Sequence, residues 1–222
     1  MTFSITARCP ETGMFGIAIS SSSPAVAARC AHLRPGVGAI ASQNVTDPRL
    51  GKQGLDLMAA GASAEAALAE LKASPFIDFR QLALVDTAGR TAALSGAGAL
   101  GIHAIVQGDG AVSAGNLLAS LDVPRAMMTA FEAAQTDFPG RLLAALEAGL
   151  AAGGEAGPVH SAGLVVVRDI EWPIVDLRVD WSDTPLADLR RVWELYAPQL
   201  EDYVWRALDP ARAAKFGVPG ER

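Results

Sequence analysis

The chain has 222 residues, of which 50% are hydrophobic and 19% charged, with a formal net charge of −6. That composition supplies a large apolar core and excludes a disordered chain. The acidic balance argues against nucleic acid or an anionic membrane as the main partner.

No apolar run reaches the roughly 18 residues of a membrane span. The N-terminus lacks the basic-then-apolar pattern of a secretory signal. A soluble, cytoplasmic protein is expected. Two cysteines, Cys9 and Cys30, form no CxxC, and the three histidines, His32, His103 and His160, are scattered. No metal site and no cofactor are expected.

Thr2–Arg8 reads as a strand, with Phe3, Ile5 and Ala7 alternating with Ser4, Thr6 and Arg8. Pro10 and Gly13 punctuate a turn into a second strand, Met14–Ser20, and the short connection predicts an antiparallel hairpin. Val37–Gln43 is a third strand after the Pro35-Gly36 turn. Helices follow over Gly51–Ala60 and Ala64–Ala73, the second with Ser63 as N-cap. Hairpins are expected from Gln81–Asp86 with Arg90–Leu94, and from Ile102–Gln107 with Ala111–Ala114. Two more helices, about Pro124–Ala134 and Pro139–Ala152, end at Gly153-Gly154. Ala162–Arg168 is apolar throughout, as a strand buried on both faces is, and Ile174–Asp180 pairs with it. Pro185 starts a helix that Pro198 breaks, and a last helical segment runs to Leu208.

Strand groups separated by helix pairs exclude a doubly wound sheet, which needs single crossover helices. They predict an α+β fold, a four-layer αββα sandwich of two antiparallel sheets. One domain over 1–208 with a tail over 209–222 is expected. The stretches ALAELKASPFIDFRQLALVD and LLAALEAGLAAGGEAGPVHSAGLVVV both read helix, loop, buried strand. That echo fits pseudo-symmetry of the two layers, and equally two similar solutions to one packing problem.

Six blocks agree in order and spacing with a known family. They are TFSITARCPETGMFGIAISS, GVGAIASQ, DPRLGKQGLDLMAAG, RQLALVDTAGR, AGNLLAS and SAGLVVV…VDLRVD…PLADLRRVWELY. Together they resemble the domain of unknown function 1028 family. The resemblance implies the fold of the N-terminal-nucleophile (Ntn) hydrolases, an αββα architecture, and no established reaction. The chain departs from the family pattern at the end of the second strand, where a lysine often stands and here Ser20-Ser21-Ser22-Ser23 do.

Thr2 is the first candidate. With Met1 removed, one residue carries both a hydroxyl nucleophile and an α-amine of pKa about 8 to accept its proton. The plain alternative is a β-branched residue starting an edge strand. Ser20 and Ser21, in the serine run, offer hydroxyls to a polar ligand or an oxyanion, or merely cap a loop. Gln43, Asn44, Asp47 and Arg49 leave the third strand and could orient a substrate's polar groups. Alternatively, Asp47-Pro48 starts a turn and Asp47 caps the next helix. Asn116, after Gly115, suits an oxyanion donor or a strand-end support. His160-Ser161 has no acidic partner nearby in sequence, so no triad is predicted.

Three functions compete on this reading. One is an Ntn-like amidohydrolase acting on a small amide or cyclic amide. Another is a non-catalytic small-molecule-binding relative that keeps the cleft. The last is an assembly protein with Trp172, Trp181, Trp193 and Trp205 at interfaces. A homodimer is expected from those aromatics and from Tyr196. Thr2 is expected at the mouth of the main cleft near Ser20, Asn44 and Asn116, with the third strand in the same sheet as the first hairpin.

Overall fold

The computed structural model describes residues 1–213. Its strands are β1 (Thr2–Arg8), β2 (Phe15–Ser21), β3 (Ala31–Arg34), β4 (Gly38–Asn44), β5 (Arg80–Asp86), β6 (Thr91–Ser95), β7 (Ala104–Gly108), β8 (Ala111–Asn116), β9 (Ser161–Val167) and β10 (Val175–Val179). They form two antiparallel sheets, ordered β10-β9-β2-β1-β8-β7 and β3-β4-β5-β6. The expected hairpins β1–β2, β5–β6, β7–β8 and β9–β10 are all present.

One alternative and one expectation about the first strands need correction. β1 is not an edge strand: it lies between β2 and β8. The third strand, β4, does not join β1 and β2 but pairs with β3 and β5 in the other sheet. The reason is a crossover between Ser21 and Gly38. Helix α1 (Val26–Cys30) and β3 carry the chain from one sheet to the other there. Ala25 enters α1 in the left-handed region (φ 52°) with no side-chain cap, so the segment lacks a helix-start signal.

The core divides by face. Phe3, Ile5 and Ala7 of β1 and Leu164 and Val166 of β9 bury against α4 (Asp122–Ala133), α5 (Phe138–Ala151) and α6 (Pro185–Tyr196). Ile40 of β4 and Leu82 and Leu84 of β5 bury against α2 (Pro48–Ala59) and α3 (Ala64–Leu71). Between the sheets, Phe15, Ile17 and Ile19 of β2 meet Ala39, Ala41, Ala83 and Val85 of β4 and β5. Alanines there admit close sheet packing, and the polar side of β1 shares this interior. Ser4 and Thr6 are fully buried rather than solvated. The alternation in β1 therefore separates two interiors of different polarity, not core from water.

Caps follow the sequence in part. Ser63 accepts from Ala66 N at 3.2 Å, and Asp47 accepts from Arg49 N at 3.1 Å. Leu195 of α6 and Tyr203 of α7 (Leu200–Leu208) are exposed, as is Trp181 ahead of α6, while Trp193 packs into the protein's own core. The tail expected over 209–222 lies mostly outside the described residues. Among the described residues, no helix is long and apolar enough to cross a membrane.

Candidate functional site at the start of the first strand

The strand registers assemble a row of polar residues. Thr2 stands opposite Asn116 on β8, and Ser21 opposite Ser161 on β9. Thr2 Oγ1 and Ser21 Oγ lie 3.5 Å apart. All four side chains belong to the sheet face that meets the second sheet, because residues directly opposite each other share a face. Thr2 is 5% exposed, and Asn116, Ser21 and Ser161 are buried with it.

Both hydroxyls turn toward one acceptor. Ser21 Oγ donates to the Met1 carbonyl at 2.5 Å, and Thr2 Oγ1 donates to the same oxygen. Ser161 Oγ donates to Ser23 O at 2.6 Å, which ties the serine turn to β9. Ser20 points to the opposite face of β2 from Ser21, and its hydroxyl donates to Ser161 O at 2.9 Å.

A chain of buried amides reaches the row from the second sheet. Ser4 Oγ donates to Gln43 Oε1 (2.8 Å), Gln43 Nε2 to Gln81 Oε1 (2.7 Å), and Asn116 Nδ2 to the same Gln81 Oε1 (3.0 Å). Gln81 Nε2 donates to the Gly115 carbonyl (2.9 Å) and to Ser95 Oγ (2.8 Å). A backbone carbonyl can only accept, so Gly115 fixes the orientation of Gln81. Gln81 in turn fixes Gln43 and Asn116. Asn116 Oδ1 is thereby left as a buried acceptor without a partner.

Sequence reasoning missed Glu155. The left-handed pair Gly153 (φ 113°) and Gly154 (φ 58°) ends α5 and turns the chain back over the end of β8. Ala119 N donates to Gly154 O and Ala156 N to Leu117 O. Glu155 is 4% exposed, and its two oxygens accept from Ser22 N at 3.1 and 3.2 Å. Burial pushes its carboxyl up to about 7. The chain's α-amine, the Ser22 hydrogen bonds and the charge of His160 pull the other way. The signal available in the sequence was one carboxylate isolated in GGEAGP, between a helix end and a buried strand. His160 itself stacks on Trp181, with ring centres 4.4 Å apart.

The remaining candidates lie apart from this row. Asn44 donates to Phe79 O and accepts from Leu100 N, bracing two loops from a left-handed conformation (φ 73°). Asp47 caps α2 and pairs with Arg49 at 2.7 Å, and the Arg49 side chain is 82% exposed. That ion pair holds the Asp47 carboxyl below its usual range. A groove of about 680 Å³ lies elsewhere, beside Cys9, Glu11 and Phe138 past the far end of β1, and Thr2 does not line it. Thr2 itself is buried at that other end of β1.

The Family of unknown function (DUF1028) matches residues 2–189. The chain belongs to this family. Protein SPO2555 from Silicibacter pomeroyi, a DUF1028 crystal structure, is 32% identical to it. That structure superposes with a TM-score of 0.82 over 88% of this chain and 89% of that one. Anbu from Hyphomicrobium sp. strain MC1 is 11% identical with a TM-score of 0.44, over 97% of this chain and 100% of that one. Anbu (ancestral beta-subunit) from Yersinia bercovieri is 12% identical with a TM-score of 0.38, over 90% and 97%. No curated protein matches the chain. In this DUF1028 protein the polar row joins the start of β1 to the ends of β2 and β8, three strands within the matched region.

Proposed function

We propose that this DUF1028 protein is an amidohydrolase of the N-terminal-nucleophile type, built on an αββα sandwich over residues 1–208 and acting on a small amide or cyclic amide. The observation that carries the reading is the pair of hydroxyls, Thr2 and Ser21, converging on the carbonyl carbon's oxygen at the N-terminus. With Met1 removed, the Thr2 α-amine takes up the proton of Oγ1 as that oxygen attacks a substrate carbonyl. The C–N bond breaks, the amine leaves with the proton, and an ester on Thr2 remains. Water then hydrolyses the ester and restores the hydroxyl. Ser21 Oγ, released from the Met1 carbonyl, is the donor available to the developing oxyanion. Glu155 lies near enough to the chain's α-amine, carried by Met1, for the two to interact. Gln43 belongs to the supporting amide chain, whereas Ser20, Asn44, Asp47 and Arg49 serve as second-line contacts only if a substrate extends beyond the row.

The burial of Thr2 favours one alternative, a non-catalytic binding relative in which the row holds a polar ligand. The test begins with the mass of the natively expressed protein, which shows whether Met1 is present. The Met1-free protein is then assayed on a panel of small amides and lactams beside Thr2→Ala. Turnover by the first and none by the variant, with an acyl adduct on the N-terminal peptide, supports the hydrolase. Equal activity of the two sinks it, and binding without turnover selects the alternative. A homodimer through the exposed side of α6 and α7 is part of the same proposal. Light scattering at the 23.0 kDa of one chain would refute that part.

A further inference from the structure

The orientation of Asn116 bears on what the site accepts, and this inference rests on the hydrolase or binding reading of the Thr2 row. Asn116 is fully buried, its amide nitrogen is committed to Gln81, and its carbonyl oxygen has no partner. Reversing it would set Asn116 Oδ1 against Gln81 Oε1. Reversing Gln81 as well would set its oxygen against the Gly115 carbonyl. Each reversal sets two acceptors against each other at hydrogen-bond distance in a buried interior, where such a clash is costly. The amide chain therefore holds Asn116 in one state, presenting an acceptor beside Thr2.

An acceptor cannot stabilise an oxyanion, because both carry negative charge. It can accept from an N–H. The same end of the sheet holds a second acceptor group, the Glu155 carboxyl, which accepts from Ser22 N. We propose that Asn116 is a specificity-determining residue whose Oδ1 receives the N–H of the ligand's amide, so that the site takes N–H-bearing amides, lactams and ureides and discriminates against N-alkylated amides and esters. A site built to hydrogen-bond one substrate group rejects analogues lacking it strongly, because the buried partner is then stranded.

Met1 decides access. Its carbonyl occupies the Ser21 hydroxyl, and it is only half-buried over a row that is otherwise closed. The ligand-binding form is thus the chain that begins at Thr2.

The experiment uses ligand-observed NMR with two matched pairs, 2-pyrrolidinone against N-methyl-2-pyrrolidinone and hydantoin against its 1,3-dimethyl derivative. The protein is the Met1-free full chain, with the Met1-retaining chain as control. We expect each N–H compound to bind at least about tenfold more tightly than its methylated partner, and only without Met1. Asn116→Leu should abolish that preference. Equal binding within the wild-type pairs overturns the proposal without any variant, as does a preference that survives in a folded Asn116→Leu. Absence of binding by all four compounds also overturns it. Binding is read without turnover, so a silent enzyme leaves this test intact. Hydrolysis of esters and N,N-dialkyl amides as fast as N–H amides would uphold the hydrolase and sink the Asn116 proposal.

Discussion

Replacing Gln81 with leucine should expose how much the fold depends on the amide chain between its sheets. Gln81 makes four hydrogen bonds: it accepts from Gln43 Nε2 and Asn116 Nδ2 and donates to Gly115 O and Ser95 Oγ. Gln43, Gln81 and Asn116 are all fully buried. Gln81→Leu strands two amide donors and a backbone carbonyl, and each stranded group costs about 1–3 kcal/mol. Leucine returns about 1.5–3 kcal/mol through apolar burial. The difference is a net loss of about 3 kcal/mol, which in a chain of this size lowers Tm by roughly 6–12 °C. The double variant Gln43→Leu/Gln81→Leu removes donor and acceptor together, so it should lose less than the two single losses added. Urea denaturation of the four proteins measures the cycle. A Gln81→Leu loss below about 1 kcal/mol, or strict additivity, would refute the claim that these amides form one satisfied network.

Glu155 should make stability depend on pH. Its carboxyl is raised from 4.5 to about 7 in the folded state, so the folded protein binds the extra proton. Stability from this group is therefore full below about pH 4.5 and is lost as pH rises through 7. Glu155→Gln should match the wild type at pH 4.5 and exceed it at pH 8.5 by about 3 kcal/mol; a pH-independent difference in urea midpoints would contradict this. Asp47→Ala should cost about 1 kcal/mol through the lost cap, while Arg49→Ala should cost under about 0.5 kcal/mol because its ion pair is solvated; equal effects in thermal melts would show that the pair matters beyond the cap. Gly163→Ala would bring a methyl to 2.4 Å from the Ala27 side chain. It should cost about 1–3 kcal/mol by forcing α1 off β9, and a calorimetric Tm unchanged from wild type would show that α1 moves freely.

The hairpins were legible because apolar alternation, bounded by Gly and Pro, is a local signal that close strand pairing reads directly. The buried strand β9 was legible for the same reason, from its unbroken apolar run. The crossover was not: Val26–Arg34 is rich in alanine, lacks a cap, and shows neither period clearly. Without it, nothing in the sequence separated β4 from the first hairpin's sheet. Within the site, the nearness of Thr2 to Ser21 followed from hairpin geometry alone. Gln81 and Glu155 did not, because their importance comes from partners 35 and 133 residues away along the chain. Gln81 reads locally as a polar strand end, and Glu155 as a loop residue.

The position of β1 also sets an order of events. It is made first, yet it becomes an interior strand only when β8 arrives, with Thr2 pairing with a residue over a hundred positions later. Such distant pairings close late, because the intervening chain must be ordered first. Until then the N-terminus is an open end. Afterwards Thr2 is 5% exposed and the Met1 carbonyl is held by two hydroxyls. The Met1–Thr2 bond is therefore easier for an aminopeptidase to reach before β8 pairs with β1 than after.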